Sequence, residues 1–79
     1  MPRQVRELAT DVCTRMFKGG GRKIVVSKER LQRCVQGVES YILDLTPPDE
    51  AIGEVAAATG RPFDWVKRKL DKAKRRVIT

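Results

Sequence analysis

"EVAAATGRPFDWVKRKLDKAKRR", residues 54–76, opens nearly neutral and apolar, passes Gly60 and Pro62, and closes in a dense run of Lys and Arg. Its reading decides the fold. An apolar stretch, a glycine, and then Val66, Leu70 and Ala73 at steps of four and three describe a short helix, a tight turn and a second amphipathic helix. Helices that cross closely need a small residue midway along the first, and Ala56 supplies it. Four residues later the turn needs a positive φ angle, which Gly60 adopts without a Cβ penalty. Six residues after Gly60, Val66 locks the second helix against the first, and Val55 and Leu70 complete the wedge. Pro62 fits the first turn of the second helix, where its missing N–H costs nothing.

Outward from this unit, the inward stripe of the last helix reads Phe63, Val66, Leu70, Ala73 and Val77. Upstream, "TPPD" at 46–49 breaks the chain, since two prolines cannot continue a helix. Asp49 then caps a helix over 50–59 that buries Ile52, Val55, Ala56 and Ala58. Before the break, Ser27 caps a helix over 28–45 with Leu31, Cys34, Val35, Val38, Tyr41, Ile42 and Leu45 on one face. Gly37 weakens that helix but admits the close approach of another. Residues 3–18 place Val5, Leu8, Ala9, Val12, Cys13, Met16 and Phe17 on an apolar face, and the glycines at 19–21 stop it. Ile24, Val25 and Val26 are β-branched and too few for a helix, so the Gly19–Val26 segment reads as a turn and a short extended piece. The fold class is mostly α. One domain spans 1–79, with 1–48 as helical support and 49–77 as the helix-turn-helix.

The charge is uneven. Seventeen basic and 10 acidic residues give +7 and a pI of about 10.0. Residues 61–79 hold eight cations against Asp64 and Asp71, 8 − 2 = +6, and the first sixty residues carry 9 − 8 = +1. A segment this basic on a near-neutral body is a focused field whose natural partner is a polyanion, nucleic acid ahead of an anionic membrane surface. No run approaches the roughly 20 apolar residues of a membrane span, and the N-terminus lacks a signal-peptide apolar block. With no His and no paired cysteines, neither a metal site nor a nucleophile–base pair is assembled, so no catalytic residues, cofactor or enzyme activity are expected. Cys13 and Cys34 both sit on apolar helix faces and read as buried small hydrophobes of a reducing, cytoplasmic compartment.

The frame Glu54-Val55-Ala56, Gly60, Pro62, Val66-Lys67, Leu70, Ala73 and the closing basic run resembles the promoter-reading helix-turn-helix of bacterial sigma factors, and more loosely other bacterial regulators of that class. The likeness covers residues 54–77. The "TPP" break and the Gly19–Val26 segment depart from a sigma factor, so the resemblance implies a helix-turn-helix protein of bacterial or phage type. A winged-helix variant is left open if Ile24–Val26 pairs with Val77-Ile78-Thr79. The implied function is a small DNA-binding transcriptional regulator whose recognition helix, 62–77, enters the major groove of double-stranded DNA. Arg61, Asp64, Trp65, Arg68 and Lys69 then project from its first turns. Arg68 and Lys69 donate to guanine edges, and Lys67, Lys72, Lys74, Arg75 and Arg76 meet phosphates. Three readings stay open beside it: an adaptor gripping RNA polymerase or another large assembly through the same fold, RNA binding, and a homodimer.

Overall fold

Each helix of this chain begins and ends for a local reason. The computed structural model describes residues 3–18 and 26–78, in four helices: α1 (Arg3–Lys18), α2 (Lys28–Ile42), α3 (Pro48–Thr59) and α4 (Phe63–Ile78). Ser27 caps α2 as expected, its Oγ accepting the Arg30 N–H at 3.2 Å. The start of α3 differs from expectation. Pro47 is its N-cap and Pro48 its first residue, so Asp49 lies inside the first turn, where its negative charge is favourable at the positive end of the helix dipole. Pro62 likewise precedes α4 and accepts the Val66 N–H at 3.1 Å through its carbonyl.

The end of α2 is a second difference. The helix stops at Ile42, short of the 45 expected, because Asp44 takes a left-handed conformation with φ 55°. The Asp44 N–H then donates to the Tyr41 carbonyl at 3.4 Å and the Leu45 N–H to the Ser40 carbonyl at 2.9 Å. This is the paired closure of a Schellman motif, with aspartate where glycine is usual. It swings Leu45 out of the stripe, and that side chain is 61% exposed.

The core is built from one face of each helix. Val5, Ala9, Cys13, Met16 and Phe17 of α1 meet Cys34, Val35, Val38, Tyr41 and Ile42 of α2. Ala51, Ile52, Val55 and Ala58 of α3 and Val66 and Leu70 of α4 close it. The buried Cys13 and Cys34 are free thiols in contact. Cys34, hydrogen-bonded to Cys13, and the loss of water together push the Cys13 thiol far above its ordinary range, so it stays protonated. Phe63 and Val77 lie on the inward stripe of α4 but at its two ends, and each is 41% exposed. Val77 and Ile78 continue α4 as helix, which removes them as partners for a wing strand. Ile24 and Val25, with the rest of 19–25, lie outside the described residues, and Val26 packs against the core without forming a strand. Among the described residues no helix is long and apolar enough to cross a membrane.

Gly37 confirms the close approach expected of it. A Cβ there would stand 2.7 Å from Cγ2 of Val55, a stiff side chain that is itself fully buried. Gly53 of α3 faces nothing within 4 Å. The same substitution therefore has opposite signs at the two sites. Gly37→Ala pushes α2 from α3, costing about 1–3 kcal/mol of overpacking against up to about 1 kcal/mol of helix propensity gained. Gly53→Ala keeps the gain alone. Thermal melts of the two variants check the difference, with Gly37→Ala melting below the parent and Gly53→Ala above it.

Candidate nucleic-acid interface

The α3–α4 junction follows the expected geometry. Gly60 has φ 71° and donates its N–H to the Ala56 carbonyl at 2.8 Å, closing α3 in the left-handed region that suits glycine. Thr59 stiffens the turn. Its hydroxyl donates to the Val55 carbonyl at 2.8 Å and accepts the Arg61 N–H at 3.4 Å. Val55, Val66 and Leu70 are all fully buried, and Ala56 packs against the core half-buried. Residues 60–62 thus join two helices whose facing stripes interlock.

Helical periodicity sorts the rest of α4 into three solvent-side rows. Asp64, Arg68, Asp71 and Arg75, at steps of four, three and four, form the outward row. All four are exposed and their signs alternate. Arg75 reaches back to Asp71 at 3.5 Å in a surface pair. Trp65, Lys69, Lys72 and Arg76 form a second row beside α1, and it holds no acid. Lys67 and Lys74 form a third, and Lys74 lies over Tyr41 of α2.

The structure brings some of the expected site residues together and withdraws two of them. Arg61 does not project outward. Its Nη2 donates to the Met16 carbonyl near the end of α1 at 3.3 Å, and its guanidinium lies 5.0 Å from the centroid of the Trp65 ring. This side chain docks α1 onto the turn, a structural role outweighing solvation because a helix C-terminus offers unpaired carbonyls. Lys74 is withdrawn as well. Its Nζ donates to Asp44 Oδ1 at 2.7 Å and sits 5.3 Å from the Tyr41 ring centroid. Asp44 raises the Lys74 pKa and so holds it protonated. The Tyr41 hydroxyl donates to Asp71 Oδ1 at 3.4 Å, and burial, then the Asp71 charge, raises its pKa. The Schellman turn of α2 is thereby tied to the middle of α4.

Trp65 is half-buried at the edge of the core, with Lys69 Nζ 5.4 Å from its ring centroid. Between its row and α1 runs a groove of about 230 Å³. Val12, Met16, Trp65 and Ala73 give it an apolar floor, and Arg15, Lys69, Lys72 and Arg76 stand around it. Arg15 was not among the residues expected at a site. It belongs to the polar face of α1, and only the packing of α1 against α4 brings it to Trp65. Lys67, Arg68, Lys69 and Lys72 are exposed. No protein-family model, curated protein or solved structure matches this chain.

Proposed function

We propose that the chain is a small DNA-binding transcriptional regulator of bacterial or phage type that lays α4 in the major groove of duplex DNA. The observation that carries this reading is an exposed basic helix locked by its inner stripe onto the helix that a glycine turn joins to it. Such a helix is held rigidly enough to be presented as a unit. Lys67, Lys69, Lys72 and Arg76 on its flanks suit phosphates on either side of a groove, which set affinity and register. Arg68, on the outward row and in the second turn, is the side chain placed to span guanine O6 and N7. Asp64 favours the N-terminal end of the helix dipole and repels phosphate from the first turn. Function then comes from occupying DNA, with no bond made or broken.

Reading and positioning are separable by mutation. Arg68→Ala is expected to cost about 1–3 kcal/mol on the preferred duplex and much less on random duplex. Lys72→Ala is expected to weaken both by a similar factor and to reduce the salt slope by about one. Affinities from fluorescence anisotropy at matched salt make the comparison. Equal losses on both duplexes for both variants would reduce Arg68 to another phosphate contact.

A further inference from the structure

The groove between α1 and α4 carries chemistry that a DNA contact does not use. We propose that it is a docking site for an acidic peptide segment of a protein partner, one apolar side chain of which fills the groove while flanking carboxylates pair with its cations. Three observations support this. The row Trp65, Lys69, Lys72 and Arg76 lacks any acid, whereas the adjacent outward row alternates signs through Asp64 and Asp71. Arg15 adds a cation from a different helix, so the positive rim encloses the floor instead of running along one helix. The floor itself is apolar and includes Val12, Met16 and the only tryptophan of the chain.

Size and charge then choose the occupant. At about 230 Å³ the groove falls below the roughly 300–1,000 Å³ of most small-molecule sites, and suits one large side chain. Duplex DNA would satisfy the cations but presents an evenly charged backbone with no apolar group to cover the floor. A peptide with carboxylates around a Leu or Phe satisfies both. Trp65 is well placed as its anchor contact, since a half-buried aromatic flanked by cations combines area with a polar rim. Arg15 is already paired with Asp11 at 3.3 Å, but in an exposed i, i+4 bridge that exchanges partners at little cost. The site shares Lys69, Lys72 and Arg76 with the phosphate contacts proposed for DNA, and its apolar floor is the part that a duplex does not use.

Trp65 also reports on the site, because it is the sole tryptophan. The full chain, without DNA, is titrated with the end-blocked peptide EELFEE while indole emission is followed. A saturable change in emission is expected, with affinity at least tenfold lower for KKLFKK, where charge is reversed, and for EESSEE, where the apolar anchor is gone. The double variant Lys69→Glu, Lys72→Glu changes only exposed side chains, and it should bind EELFEE at least tenfold more weakly with unchanged helical circular dichroism. Emission unmoved by EELFEE would overturn the proposal. So would equal binding of EESSEE, which would leave charge alone at work, or a random duplex that saturates the indole signal where the peptide does not, which would assign the groove to nucleic acid.

Discussion

Val66→Asp is expected to leave the chain without a cooperative melt. Val66 is fully buried against Val55 and Leu70, at the point where α4 locks onto α3. A carboxylate placed there finds no cation, because the bases of α4 lie on its other faces. An unpaired buried charge either stays ionised at a cost of several kcal/mol or takes up a proton and leaves a polar group unsatisfied. A domain of this length holds only about 4–12 kcal/mol in total, at roughly 0.05–0.15 per residue, so the substitution removes most of it. Two companions define the cause. Val66→Ala keeps the site apolar and is expected to fold with a loss of about 1–2.5 kcal/mol. Lys67→Asp, one residue away on an exposed face, is expected to stay within about 0.5 kcal/mol of the parent. Urea denaturation followed by circular dichroism gives all three values. A Val66→Asp protein that unfolds at the parent's midpoint would mean that α4 does not pack on α3 through this face.

What the sequence disclosed and what it hid follow one division. Gly60, Val66, Leu70 and Gly37 were legible because their demands are local or steric: a positive φ, a buried branch, a missing Cβ. The Cys13 and Cys34 thiols were legible as apolar positions, though not as neighbours. Periodicity fixes the direction in which a side chain points but not how far its partner helix extends. Phe63 and Val77 therefore continue the stripe of α4 beyond the core that covers its middle.

The withdrawn cations were hidden for another reason. Lys74 is held by a carboxylate 30 residues earlier, and Arg61 by a carbonyl 45 residues earlier. No local pattern marks either pairing. Asp44 compounds this, because an aspartate in the left-handed region gives none of the warning that a glycine would. Counting Arg61 and Lys74 among the DNA-facing cations consequently overstated the outward charge of this segment. Of the faces of α4, the row beside α1 is basic throughout, and the outward row is balanced.

That redistribution changes the strength expected of the electrostatic term. Lys74 is engaged by Asp44 and Arg61 by Met16 and Trp65, and the side chains proposed for phosphates are Lys67, Lys69, Lys72 and Arg76. Each phosphate neutralised releases counterions and contributes about −0.9 to the slope of log affinity against log salt. About four contacts give a slope near −3.6, a roughly 150-fold loss of affinity between 50 and 200 mM salt. The central claim is that α4 holds duplex DNA, and a salt titration on a random duplex tests it most directly. Fluorescence anisotropy of the labelled duplex, across that range, is expected to give a straight line of slope about −3.6, flattening to about −2.7 in Lys72→Ala. A flat salt response, or no binding at 50 mM salt, would contradict it.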